Sequence, residues 1–221
     1  MMSITGNKNI QNIKGLFDND IFLFDVDDTL LYTFENGYHK VNAAAKASGY
    51  LPISFEQYKA YYGKLSFFEC LASWFPGCDI SDMSKKYDAE KKHFPYKPIC
   101  DFGKLQKMLD KKGIKCGILT NGKRNAKLYE KLSCARAEIS ELIGIWGEDD
   151  ILPYSKPNPG ALNPVKHLFP HAKIVYFGDS IHDYEMCKAG TVFFVQVLSG
   201  KEDAIRDALS IRDISVLFDY L

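Results

Sequence analysis

At 221 residues the chain can bury a core of its own, as one domain with a substantial insertion or as two small domains. Lys plus Arg and Asp plus Glu both number 28, so the formal net charge is zero and no like-charge block forms a binding tail; no nucleic-acid partner and no anionic membrane is therefore expected. The six cysteines, Cys70, Cys78, Cys100, Cys116, Cys134 and Cys187, include no Cys-x-x-Cys pair, and several fall in apolar contexts, which reads as reduced thiols and a cytoplasmic protein.

The opening stretch, Met1 to Asp20, mixes Asn, Lys and Gly with isolated apolar residues and holds no run of signal-peptide or membrane-span length. Then comes Ile21-Phe22-Leu23-Phe24, the unbroken apolar run that a parallel strand covered on both faces requires. It delivers Asp25, Asp27 and Thr29 at its end, where open α/β sheets place their ligand crevice. Side chains two apart in extended chain share a side, so Asp25 and Asp27 are expected to converge. Two like charges held close need a cation between them, and oxygen-rich sites suit Mg²⁺.

Roughly 85 residues separate this strand from the next, far more than the dozen or so of a simple crossover. The intervening stretch is aromatic-rich and helix-patterned over Tyr38 to Gly49, Ser54 to Tyr62, Ser66 to Phe75 and Ser81 to Phe94. It reads as a small helical domain, entered through Thr33 to Asn36 as an outgoing strand and left past Pro95 and Pro98. Beyond it, Phe102 to Lys112 has helical spacing and stops at Gly113. Apolar runs at Lys115 to Leu119, Ile143 to Trp146, Lys173 to Phe177 and Thr191 to Leu198 alternate with helices over Asn125 to Leu132 and Ile181 to Ala189. Such alternation implies right-handed crossovers and a parallel sheet.

Three further groups follow predicted strands. Thr120-Asn121-Gly122 offers a hydroxyl, an amide and backbone N–H groups to phosphate oxygens, though the same tripeptide makes an ordinary turn. Lys156 is pinned by Pro157 and Pro159, which lowers the entropy cost of presenting an ammonium at one point. Gly178-Asp179 ends an apolar strand, and Asp183 lies one helical turn on; these carboxylates also suit helix N-capping.

In this order and spacing the residues resemble the haloacid dehalogenase superfamily, whose pattern is Asp-x-Asp-x-Thr, then Thr or Ser, then Lys, then Gly-Asp with a following Asp. The insertion resembles the subclass with a helical cap after the first motif, that of phosphoglycolate phosphatases and β-phosphoglucomutases. The resemblance implies an α/β, Rossmann-like parallel-sheet core over 1–34 and 98–221 with a helical cap domain over 35–97. It implies an Mg²⁺-dependent phosphohydrolase for a small phosphorylated metabolite, working through an aspartyl-phosphate intermediate, as a monomer or homodimer. Asp25 would be the nucleophile and Asp27 the general acid and base. The metal would be held by Asp25, Asp179 and the backbone carbonyl of Asp27, and the phosphate by Thr120, Asn121 and Lys156, with Asp183 orienting Lys156 and metal-bound water. Asp28 stands where many relatives have glycine. Tyr62 and Lys64 are the cap residues expected to read the leaving group. Phosphotransfer to another hydroxyl, a phosphorylatable switch and an inactive binding module are the alternatives.

Overall fold

The computed structural model describes residues 13–62, 65–200 and 204–221. In chain order, β1 (Ile21–Phe24) and β2 (Leu31–Tyr32) are followed by the helices α1 (Phe34–Ala47), α2 (Phe55–Tyr61), α3 (Phe67–Trp74) and α4 (Ile80–Ala89). Then come β3 (Lys97–Pro98), α5 (Phe102–Lys111), β4 (Lys115–Leu119), α6 (Ala126–Cys134), β5 (Leu142–Trp146), α7 (Glu148–Ile151) and α8 (Asn163–Leu168). The chain closes with β6 (Ile174–Gly178), α9 (Ile181–Ala189), β7 (Phe193–Val197) and β8 (Leu209–Ile211). It divides into two compact units, Met1–Tyr32 with Lys97–Leu221, and Thr33–Tyr96. No helix among the described residues is long and apolar enough to cross a membrane.

Six strands of the first unit form one parallel sheet in the order β5-β4-β1-β6-β7-β8, flanked by helices. β1 is central because all four of its residues are apolar and buried, the condition for a strand covered on both faces. Alternation sends Phe22 and Phe24 to one face, where Phe24 stacks on Phe177 at 4.9 Å and meets Phe102 edge-on at 5.0 Å. Ile21 and Leu23 face the other way, into a cluster with Leu119, Trp146, Leu162, Val165, Tyr176 and Met186. The register pairs Phe24 with Ile118 on one side and with Phe177 on the other. Asp25 therefore leaves β1 level with the ends of β4 and β6, and its N–H still donates to the Phe177 carbonyl at 2.9 Å.

The second unit is built around Tyr58, which stacks on Trp74 at 5.0 Å within a core that includes Val41, Ala44, Leu71 and Met83. Ser54 with Gln57, and Ser66 with Glu69, close capping boxes that start α2 and α3 where the serines predict them.

Several features depart from the sequence reading. Thr33 to Asn36 is not an outgoing strand: Thr33 is the N-cap of α1 and the helix begins at Phe34. Phe34 joins the helical period of Tyr38 and Val41 and packs on Tyr58, a tertiary gain that outweighs the β preference of a Thr-Phe pair. The outgoing strand is instead Leu31–Tyr32, which pairs antiparallel with Lys97–Pro98. The edge strand β8, three residues beside β7, is also absent from that reading.

Phe24→Ala should cost about 3–5 kcal/mol of stability by vacating the ring space shared with Phe102 and Phe177, read as a lower midpoint in urea with an unchanged slope.

Candidate active site

The strand tips gather a buried ionic cluster. Lys156, on the loop between α7 and α8, donates from Nζ to Asp25 Oδ1 at 2.8 Å, to Asp183 Oδ1 at 2.6 Å and to the Tyr176 hydroxyl at 2.9 Å. Tyr176 in turn donates to the Leu119 carbonyl at 2.7 Å. Asp183 is fixed from its own helix, because its Oδ2 accepts from the Ser180 N–H at 3.1 Å and from the Ser180 hydroxyl at 2.6 Å, closing the capping box of α9. Glycine is required at 178, since a Cβ there would stand 2.6 Å from Asp183 Oδ2. The loop carrying Lys156 is tied down by Asn121, whose side-chain amide accepts from the Lys156 N–H at 2.9 Å and donates to the Lys156 carbonyl at 3.0 Å.

The other expected residues divide between those beside this cluster and those elsewhere. Asp27 and Asp25 go to different lysines, because β1 stops at Phe24 and extended-chain alternation ends with it. Both oxygens of Asp27 accept from Lys131 Nζ of α6 at 2.6 Å, and its side chain is 38% exposed against 8% for Asp25. Asp28 has φ +54°, a left-handed conformation that glycine adopts freely and aspartate tolerates. Thr29 is fully buried, and its hydroxyl has no hydrogen-bond partner among the described residues. Thr120 is buried at the tip of β4 and accepts from the Gly122 N–H at 3.2 Å through Oγ1. Asp179 is half-buried, one residue past β6. Tyr62 is half-buried and packs against the core of the second unit, on Phe34 at 4.8 Å and Tyr58 at 5.0 Å. Lys64 lies outside the described residues.

Lys131 and Tyr176 were missed by the sequence reading. Lys131 is a helix lysine like many others in this chain, and nothing local marks it. Tyr176 carried a weak signal: a hydroxyl inside the apolar run Ile174 to Phe177 needs a partner once buried.

Burial dominates the electrostatics. It pushes the Asp25 carboxyl up from 3.8 to about 6; Lys156 pulls the other way, and the charges of Asp183 and Asp27 add to the rise. Burial also opposes ionisation of Asp183 and Lys156. Their mutual attraction, with the Ser180 donors on Asp183 and the Asp25 charge beside Lys156, overcomes it, leaving the carboxyl below and the ammonium above the ordinary values. The cluster thus carries two carboxylates against one ammonium. The second oxygen of Asp25 takes no hydrogen bond from any described residue.

That excess of hard oxygen suits a cation. Asp25 and Asp179 stand at the tips of adjacent strands, and Mg²⁺ is commonly held by one or two carboxylates while keeping several waters. Among the described residues no group of three or more His, Cys, Asp and Glu side chains is placed to hold a metal ion by itself.

The sign of the Asp25 shift gives a pH test. A carboxyl whose native value lies above its unfolded value imposes no penalty below the unfolded value and its full penalty above the native one. Ionising Asp25 should therefore cost stability as pH rises from about 4 through about 6. Without divalent cations, Asp25→Asn should melt a few degrees above the wild type at pH 8, and the gap should close by pH 4.

Comparisons with known proteins bear on the family and the fold. The family model described as haloacid dehalogenase-like hydrolase matches residues 22–197. A phosphoglycolate phosphatase of Rhodobacter capsulatus is 26% identical over 215 residues, spanning 88% of this chain and 93% of that protein. Among solved structures, a predicted phosphoglycolate phosphatase of Haemophilus somnus is 16% identical with TM-score 0.73, covering 91% of this chain and 97% of its own. A protein of Thermotoga maritima named as a candidate β-phosphoglucomutase is 18% identical with TM-score 0.72, covering 91% and 100%. At those identities the two structures establish a shared fold. With the family match extending over most of the chain, from β1 to the end of β7, this protein is an enzyme belonging to the haloacid dehalogenase-like hydrolase family.

Proposed function

We propose that the enzyme is an Mg²⁺-dependent phosphatase of small phosphomonoesters that works through a phosphorylated Asp25. The observation that carries this reading is Asp25 itself, a buried carboxylate at the tip of the central strand with one oxygen fixed by Lys156 and the other taking no hydrogen bond from a described residue. Such an oxygen is oriented for attack yet not neutralised by a hydrogen bond.

In the first step the uncommitted Asp25 oxygen bonds to phosphorus in line with the departing ester oxygen, the ester P–O bond breaks, and the leaving alcohol takes a proton from Asp27. In the second, Asp27 takes a proton from water as that water attacks phosphorus, and Asp25 departs as carboxylate. A carboxylate clamped by Lys131 through both oxygens cannot donate a proton, so Asp27 must leave Lys131 and take up a proton from solvent before the first step. Lys156 and the Thr120 loop would grip the phosphoryl oxygens. With its side chain committed to the Lys156 peptide, Asn121 would act by holding that lysine in place and through its own backbone N–H. Asp183 would be a positioning group for Lys156.

Mg²⁺ would be held by the Asp25 and Asp179 carboxylates and the Asp27 backbone carbonyl, and when bound it supplies positive charge against the phosphate dianion. The 33–96 unit is read as a cap that excludes water and selects the leaving group, with Tyr62 and Lys64 as its contributions. A cytoplasmic setting belongs to the same reading and is supported by six free thiols.

The test is free phosphate released from a panel of phosphomonoesters, with 2-phosphoglycolate at its head because of the name of the Rhodobacter relative. Release should require Mg²⁺ and stop with EDTA. Asp25→Asn should abolish it while leaving circular dichroism unchanged; wild-type turnover in that variant would refute the assignment. Asp27→Asn should lower kcat/KM for an alkyl phosphate by about 10²–10⁴, and for p-nitrophenyl phosphate, whose leaving group needs no proton, by much less.

A further inference from the structure

We propose that Tyr176 is a positioning residue whose hydroxyl is the exchangeable third partner of the Lys156 ammonium, surrendered when a phosphate oxygen arrives. The inference rests on the reading above that Lys156 holds the phosphoryl group.

An ammonium has three N–H donors, and Lys156 uses one on each of Asp25, Asp183 and Tyr176. A phosphate oxygen can reach Nζ only by displacing one of them. Asp25 and Asp183 are poor candidates, because each is a buried anion whose bond to the ammonium is charge-assisted and whose loss would leave a desolvated charge. Asp183 is further locked through Ser180. Tyr176 differs on each count. Its hydroxyl is neutral, and its own proton is already used on the Leu119 carbonyl at 2.7 Å, so giving up Lys156 empties one lone pair and strands no donor.

Position favours the same exchange. Tyr176 is fully buried within β6, two residues short of the strand end, whereas Asp25 stands beyond the end of β1. The phenol holds the ammonium toward the sheet interior, and an anion at the strand tips would draw it outward. Its bond to Leu119 also ties this lysine to the last residue of β4, directly before Thr120.

The consequence runs against intuition. Tyr176→Phe removes a buried hydrogen bond and should lower the melting temperature, yet it should tighten phosphate binding, because the free enzyme no longer has a bond to break. Inorganic phosphate titrated calorimetrically with Mg²⁺ present should bind Tyr176→Phe about 5-fold more tightly than the wild type, the factor one ordinary hydrogen bond is worth. Equal or weaker binding overturns the proposal, and a merely structural defect would weaken it. Lys156→Met in the same experiment should lose phosphate binding; wild-type affinity there would overturn the reading that Lys156 holds phosphate, and this inference with it. If Tyr176→Phe does not fold, a crystal structure of the wild type with phosphate decides. Separation of Lys156 Nζ and Tyr176 Oη beyond about 3.5 Å supports the exchange, and persistence of the 2.9 Å contact overturns it.

Discussion

The buried Lys156 ammonium is the constraint around which the rest of the site is arranged. Removing an ammonium and two carboxylates from water is costly, and such a group persists only where nearly every polar atom finds a partner. Here all three N–H groups of Lys156 are used, and so are both oxygens of Asp183. Of the four carboxylate oxygens in the cluster, one on Asp25 alone has no hydrogen bond from a described residue. Among the described residues the network therefore leaves its one unpaired carboxylate oxygen at the tip of the central strand, on a carboxyl whose proton affinity is raised above all by burial.

Parallel register is what makes this arrangement possible from residues so far apart in sequence. Phe24, Ile118 and Phe177 lie side by side in adjacent strands, so the residues that follow them emerge at one edge. From there short-range devices complete the positioning. Asn121 pairs with the peptide of Lys156, Ser180 locks Asp183, and the missing Cβ of Gly178 lets Asp183 approach the strand. Each acts at short range in space, on residues that the sheet has already brought to one edge.

This division explains what was legible in the sequence. The central strand, the parallel sheet and the motif residues at its edge are written in apolar runs that end in polar residues, and period alone carries that signal. Side-chain partnership is not written there. Nothing in the spacing sends Asp27 to Lys131, over a hundred residues away, while Asp25 goes to Lys156. Asn121 reads as a phosphate ligand or a turn residue; that its amide faces a peptide 35 positions on depends on a loop path no local pattern encodes. The strand expected at Thr33 failed for a related reason, since the pull of Phe34 into the Tyr58 core is a tertiary effect invisible to a local window.

Two aspartates separated by one residue thus occupy contrasting environments, and the contrast bears on how they can divide a reaction. Asp25 is immobilised and dry, beside a lysine whose side chain is itself 5% exposed and held by two further groups. Asp27 is accessible, beside a lysine reaching from the flank of α6. A nucleophile gains from fixed orientation, because attack tolerates little misplacement. A proton shuttle gains from the opposite, since it must meet first a leaving oxygen and then water. The Asp27–Lys131 pair is the more exposed of the two, 38% and 16% against 8% and 5%, so opening it costs less than opening the buried one. The placement of the two lysines, one at the strand tips and one on a helix, therefore suits the different tasks proposed for two neighbouring carboxylates of identical chemistry.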